Sequence, residues 1–101
     1  MKVLFVCNQN ENRSKTAEKL FKLKFETKSA GLFNETPIEG KDLKWADTIV
    51  VMEDKQREEI GKRFPKEYMK KRIISLGIED VYSFDQPELK KKLEHKVAEL
   101  L

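Results

Sequence analysis

Apolar residues along the chain form two kinds of pattern, short uninterrupted runs and stripes at helical spacing. The runs Lys2 to Val6 and Thr48 to Met52 are typical of buried strands in a parallel sheet. Weaker strands are predicted at Thr27 to Gly31 and at Arg72 to Leu76. The first, third and fourth of these strands are predicted to be the central ones.

Helical stripes lie between and after these runs. One helix is predicted from Ser14 onward, a short one over Ile38 to Trp45, one from Asp54 to about Arg63, and one over Pro87 to Leu101. Asp54 is expected to cap its helix. The segment Asp85-Gln-Pro-Glu88 fits a capping box at the start of the last helix.

Strands that alternate with helices predict βαβ units with right-handed crossovers. We therefore expect a single domain over residues 1–101, an α/β three-layer sandwich of flavodoxin-like type with a four-stranded parallel sheet. Ligands of such sheets bind beyond the carboxyl ends of the strands. The segment CNQNENRS, Cys7 to Ser14, lies at that end of the first strand, and we call it the Cys7 loop.

Composition narrows the classes of protein that the chain fits. Hydrophobic and charged residues each make up 39%, and both charge signs are mixed, which is typical of a folded surface. One cysteine excludes an internal disulfide and favours the reducing cytoplasm. One cysteine and one histidine cannot build a metal cluster, so no metal or other cofactor is expected. The net charge of +3 is too small to predict nucleic-acid binding, and no apolar segment approaches a membrane span.

The Cys7 loop has the residues of an anion site. Backbone N–H groups between a strand and a helix can curl around an anion, and asparagines tolerate the left-handed backbone that a tight loop needs. Arg13 can bind two phosphate oxygens with its fork of donors and favours the thiolate form of Cys7. That thiolate can attack phosphorus and form a phosphocysteine. The simpler alternative is a small buried thiol at a strand end.

Several segments together resemble the low-molecular-weight protein tyrosine phosphatases. They are the run that ends at Cys7 with Asn10, Arg13-Ser14 and Ala17-Glu18, then Ser29-Ala-Gly31, Trp45 to Glu53, and Ile78 to Tyr82. The resemblance implies a phosphotyrosine phosphatase I-like fold and a cysteine-dependent phosphatase activity.

By that resemblance Cys7 is the nucleophile and Arg13 binds the phosphate. Ser14 would donate a hydrogen bond to the thiolate, and Asn10 would hold the loop in shape. The residues expected to bind substrate are Asn8, Gln9, Asn10, Glu11, Asn12, Ser14 and Tyr82. Tyr82 is equally well interpreted as a cover for the edge of the core.

The chain departs from the family pattern at several positions. Gln9 replaces a glycine, Asn12 a cysteine found in many members, and Val81 the proline of Asp-Pro-Tyr. The segment between Gly31 and Trp45 lacks a long insertion that helps to wall the substrate cleft. The resemblance therefore supports phosphatase chemistry better than preference for phosphotyrosine.

The reaction needs a general acid on a neighbouring loop. Asp80 and Asp85 are the candidates, and Asp80 is favoured because Asp85 has a competing role in the predicted capping box. The family pattern also places its acid at the position of Asp80.

The expected function is hydrolysis of a phosphorylated protein or a small phosphomonoester. A module of the same fold that binds phosphate or a phosphoprotein with little turnover is the main alternative. Phosphoserine and phosphoarginine remain lesser substrate options. Arsenate reductases use the same loop but need further cysteines, which this chain lacks.

Overall fold

The computed structural model describes residues 1–101 and contains four strands and five helices. In chain order they are β1 (Lys2–Cys7), α1 (Arg13–Leu20), β2 (Glu26–Gly31), α2 (Gly40–Trp45), β3 (Thr48–Val51), α3 (Asp54–Arg63), α4 (Pro65–Lys70), β4 (Arg72–Ser75) and α5 (Pro87–Leu100). The short helix α4 was not predicted from the sequence. None of the helices has the length and apolar content that crossing a membrane requires.

The four strands form one parallel sheet in the order β2-β1-β3-β4, which confirms the predicted α/β fold. The prediction that β4 is central is wrong, because β4 pairs only with β3 and lies at the edge. Its apolar residues are explained by helices on both faces of the sheet. Ile73 packs into one core cluster and Ile74 into the other.

Alternation along β1 divides the core into two layers. Val3, Phe5 and Cys7 face the side covered by α1 and α5, whereas Leu4 and Val6 face the side covered by α2 and α3. The sulfur of Cys7 therefore lies on the same side of the sheet as the helix that follows it. All strands are parallel, so their carboxyl ends gather at one edge, and the Cys7 loop begins there.

The helix starts differ from two sequence predictions. The N-cap of α3 is Glu53, and Asp54 is the first residue inside the helix. The N-cap of α5 is Gln86, so Asp85 is not part of a capping box. At α3 the neighbouring acidic residue Glu53 takes the cap position, and at α5 the carboxylate of Asp85 pairs with lysines instead.

Asp85 is instead held by contacts between α1 and α5. Its backbone lies in the left-handed region at φ 61°, and its N–H donates to Thr16 Oγ1 at 2.8 Å. Its carboxylate accepts a hydrogen bond from Lys19 at 3.0 Å and lies 3.7 Å from Lys90 Nζ. The hydrogen bond from Lys19 is the main reason that the pKa of Asp85 is lowered from its ordinary value of 3.8.

This environment predicts a pH-dependent stability difference for Asp85→Asn. Asparagine tolerates the left-handed backbone, so the variant loses the ion pairs and little else. Because the folded pKa is lowered, the stabilisation is complete above the ordinary value of 3.8 and is lost as pH falls through the folded value. The melting temperature of Asp85→Asn should be lower than that of the parent near pH 7 and equal to it in strong acid.

Glu94→Gln is a matched control, since Glu94 is an exposed residue of α5 with no ion-pair partner. Thermal melts of the three proteins across pH measure the difference. If the melting temperature of Asp85→Asn were lower than that of the parent by the same amount at every pH, the loss would come from the backbone conformation and not from the ion pairs with the lysines.

Candidate active site

The backbone of the Cys7 loop turns sharply between β1 and α1. Cys7 ends β1 and is 3% exposed, and Arg13 is the first residue of α1. Asn10 has φ 55°, in the left-handed region that asparagine tolerates. Asn8 and Asn12, which were expected to share this tolerance, do not use it, and neither does Gln9. The glycine of the family pattern is therefore not needed at position 9.

One backbone donor and one hydroxyl group lie within hydrogen-bond distance of the sulfur. The backbone N–H of Asn10 donates to Cys7 Sγ at 3.2 Å, and Ser14 Oγ lies 2.9 Å from the same atom. Ser14 Oγ also lies 2.7 Å from Asn10 Oδ1. The expected partnership of Cys7, Asn10 and Ser14 is present as a connected network.

The single hydroxyl proton of Ser14 links this network to the charge on sulfur. If Ser14 donates to Asn10 Oδ1, then Cys7 must be a thiol that donates to Ser14 Oγ. If Cys7 is a thiolate, Ser14 must donate to the sulfur. The Asn10 amide then has to present its nitrogen to Ser14 Oγ. The two ends of an amide have nearly the same shape, so a rotation of this group accommodates both states.

Arg13 is a buried cation that binds protein acceptors through one nitrogen, while its other two nitrogens donate no hydrogen bond to the protein. Its side chain is 1% exposed, and Nη1 donates both to Glu53 Oε1 and to the carbonyl oxygen of Ile78, the latter at 2.8 Å. Nε lies 3.6 Å from Asp80 Oδ1, beyond hydrogen-bond distance. Neither Nε nor Nη2 donates to a protein atom. Those two nitrogens form the edge that can bind two oxygens of one phosphate.

Glu53 and Gln56, neither of which was predicted to belong to the site, support this arrangement. Glu53 follows the end of β3 and contacts Arg13. Gln56 is 2% exposed, and its Oε1 accepts the backbone N–H groups of Met52 at 2.8 Å and Glu53 at 3.1 Å. Its Nε2 donates to Asn8 Oδ1 at 3.2 Å. Gln56 thereby connects α3 and the end of β3 to the Cys7 loop.

A small cavity of about 40 Å³ lies over the sulfur. Its lining residues are Cys7, Gln9, Glu11, Asn12, Arg13 and Asp80. The cavity brings together the predicted nucleophile, the predicted phosphate-binding arginine and the favoured acid. Two larger surface grooves of about 410 and 380 Å³ include none of these residues. No cluster of His, Cys, Asp and Glu side chains suited to a metal ion is present.

No family model matches the chain, and no curated protein matches it. Solved structures do. A low-molecular-weight protein tyrosine phosphatase from T. tengcongensis is 25% identical, with a TM-score of 0.76 and coverage of 100% of this chain and 99% of that one. The YwlE arginine phosphatase from Geobacillus stearothermophilus is 22% identical, with a TM-score of 0.77 and coverage of 98% and 89%. The tyrosine phosphatase Wzb from Escherichia coli K30 is 20% identical, with a TM-score of 0.77 and coverage of 98% and 94%. The chain has the low-molecular-weight protein tyrosine phosphatase fold.

Within this phosphatase fold, the segment after β2 is joined directly to the Cys7 loop. The backbone N–H of Leu32 donates to the Cys7 carbonyl at 3.1 Å, and that of Phe33 donates to the Asn8 carbonyl at 2.9 Å. A Cβ atom at Gly31 would lie 2.8 Å from the Asn34 side chain and 3.0 Å from the carbonyl carbon of Gln9. Only glycine allows this close approach, which is a reason for the Ser-Ala-Gly sequence at the end of β2.

The structure places two candidate residues away from the cavity. Tyr82 is partly buried against the core cluster, and Lys92 Nζ lies 5.6 Å from the centre of its ring. Of its two interpretations, the structure favours a cover for the core edge over a wall of the cleft. Asp85 pairs with Lys19 and Lys90 and does not line the cavity. The preference for Asp80 therefore has a geometric basis, although its original argument from capping was wrong.

The contact between Glu53 and Arg13 predicts that Glu53 positions the guanidinium for phosphate. Glu53→Ala should weaken the binding of inorganic phosphate roughly tenfold or more, because Nη1 loses a charge-assisted hydrogen bond that fixes the free edge. Glu53→Gln keeps an oxygen acceptor and should retain most of the affinity. Titration calorimetry with phosphate measures both.

Asp54→Ala is the matched control, since Asp54 is the exposed neighbour that does not contact Arg13. Thermal melts report folding of each variant. If folded Glu53→Ala and Asp54→Ala bound phosphate with equal affinity, Glu53 would have no role in positioning the Arg13 guanidinium.

Proposed function

We propose that this protein is a phosphomonoester hydrolase of the low-molecular-weight protein tyrosine phosphatase type, with a phosphocysteine intermediate on Cys7. The observation that carries the proposal is the common cavity of Cys7, Arg13 and Asp80. A buried nucleophile, a cation with two nitrogens that donate no hydrogen bond to the protein, and a carboxylic acid therefore line one small cavity. The substrate would be a phosphorylated protein or a small phosphomonoester.

Arg13 supplies the electrostatic part of the mechanism. Its Nε and Nη2 groups would bind two non-bridging phosphoryl oxygens while Nη1 stays fixed by Glu53 and Ile78. The guanidinium is already buried, so its orientation is set before substrate arrives, and its charge acts in a water-poor environment. The backbone N–H groups of the Cys7 loop would bind the remaining oxygen.

Cys7 and Asp80 carry the covalent steps. The Cys7 thiolate attacks phosphorus, an S–P bond forms, the ester P–O bond breaks, and Asp80 gives its proton to the departing oxygen. Water then attacks phosphorus, its proton passes to Asp80, and the S–P bond breaks to return the thiolate. The donors of Asn10 and Ser14 stabilise the sulfur as it leaves. A cysteine-to-serine mutant of a YwlE neighbour carries a phosphorylated active-site serine, which supports a covalent step at this position.

The role of Cys7 as nucleophile can be tested by substitution and by alkylation. The protein should hydrolyse an aryl phosphate, and Cys7→Ser should reduce turnover to background. Iodoacetate should alkylate Cys7 and abolish turnover, because Cys7 is the proposed nucleophile and borders the cavity. Inorganic phosphate should protect Cys7.

Two outcomes would argue against Cys7 as the catalytic nucleophile. Phosphate protection with no hydrolysis would identify a binding module of the same fold. Turnover that persists after complete alkylation of Cys7 would contradict nucleophilic catalysis by Cys7.

The role of Asp80 as general acid can be tested with esters that differ in leaving group. Asp80→Asn should cost about 100-fold or more in turnover on a substrate with a poor leaving group, and less on a nitrophenyl ester whose leaving group needs no proton. Steady-state assays on the two esters measure this difference. Glu79→Gln is the control, since Glu79 is an exposed neighbour that does not line the cavity. If Asp85→Asn gave the leaving-group-dependent loss instead, the acid would be Asp85.

Phosphoarginine is a second candidate substrate. It is favoured because neighbours with TM-scores of 0.77 and 0.78 are arginine phosphatases by name. Rates on phosphotyrosine, phosphoserine and phosphoarginine peptides of one sequence would rank the three substrates. We also propose a cytoplasmic location, because the mechanism requires a reduced thiol.

A further inference from the structure

The cavity over Cys7 has an unusual charge for a phosphate site. Its charged lining residues are one cation, Arg13, and two carboxylates, Glu11 and Asp80. A third carboxylate, on Glu53, already pairs with Arg13. The chain as a whole has a net charge of +3, so the acidic excess at this cavity is opposite to the charge of the molecule.

Two of the three carboxylates have roles that explain their presence. Asp80 lies 3.6 Å from Arg13 Nε and is the proposed proton donor. Glu53 fixes Nη1 of Arg13. Glu11 has no comparable role, and as a negative charge beside the cavity it repels a phosphate dianion.

The local surroundings of Glu11 do not explain it either. Pairing with Lys15, four residues along the chain, is the simplest expectation for an exposed carboxylate at this position. The structure has no ion pair between Glu11 and Lys15 and no hydrogen bond to the Glu11 side chain. Glu11 is exposed, unpaired and part of the cavity lining, so it is available to a ligand.

We propose that Glu11 selects substrates that carry a positive charge beside the phosphoryl group. The substrate class is a phosphopeptide with arginine or lysine next to the phosphorylated residue. In that complex the substrate cation pairs with Glu11, and the negative charge of Glu11 becomes favourable. This inference rests on the proposed phosphatase function, because it concerns the choice of substrate at the same site.

The test compares two phosphotyrosine peptides that differ only in the flanking residue, arginine in one and glutamine in the other. The parent should prefer the arginine peptide in kcat/KM by about 2- to 5-fold, the size expected of an exposed ion pair. The preference should shrink as salt is added. Glu11→Gln should abolish the preference and increase kcat/KM on a neutral aryl phosphate.

Glu79→Gln is the matched control, because it removes an exposed carboxylate on the same loop as Asp80 that does not line the cavity. It should leave the preference unchanged. A preference that survives in Glu11→Gln, or equal changes on both peptides, would overturn the role of Glu11.

Binding of the same peptides to the Cys7→Ser variant, measured by fluorescence anisotropy, tests the role of Glu11 independently of turnover. The arginine peptide should bind more tightly, and Glu11→Gln in that background should remove the difference. A binding preference without any turnover in the parent would contradict the phosphatase and support Glu11. Turnover of both peptides with no preference in rate or binding would support the phosphatase and contradict the role of Glu11.

Discussion

A charge buried beneath the Cys7 loop is the constraint on which the site depends. A guanidinium that is 1% exposed must be paired and hydrogen-bonded, because removal from water costs several kcal/mol if it is left without partners. Arg13 finds its partners on other segments, in Glu53 after β3 and in the carbonyl of Ile78 after β4. The ends of three strands are thereby tied to one side chain. The cavity is a consequence of this pairing, since Asp80 follows Ile78 by two residues and is brought above the sulfur.

The protein contacts of Arg13 leave it able to bind a ligand. Both hydrogen-bond acceptors bind Nη1, so Nε, which lies 3.6 Å from Asp80 Oδ1, and Nη2 donate no hydrogen bond to the protein. The Cys7 loop is shaped by backbone requirements as well, the left-handed Asn10 and the close approach of Gly31 to Gln9. These features fix the sulfur and the guanidinium in one geometry before a ligand arrives. Preorganisation of this kind is what electrostatic catalysis requires.

The candidate site residues that the sequence could group together are those whose relationship is local. Cys7, Arg13 and Ser14 lie within one loop and the start of one helix, so their spacing alone indicates a phosphate site. The parallel sheet followed from alternating strand and helix patterns for the same reason. Glu53 and the Ile78 carbonyl contact Arg13 from 40 and 65 residues away, and neither has a local signature. At Asp85 the local pattern was misleading. It fits a helix cap, but the carboxylate accepts a hydrogen bond from Lys19, which is 66 residues distant in the sequence. The edge position of β4 was missed because strand order depends on crossovers that a run of apolar residues does not encode.

The central claim is that phosphate bound by Arg13 is attacked directly by Cys7. The most direct measurement mixes the parent protein with an excess of aryl phosphate, stops the reaction in acid within milliseconds, and maps phosphorylated peptides by mass spectrometry. The account predicts one phosphoryl group per molecule on the peptide that contains Cys7, bound through sulfur and formed no later than the first released phenol. Steady turnover with no phosphocysteine, or a phosphoryl group on another residue, would contradict it.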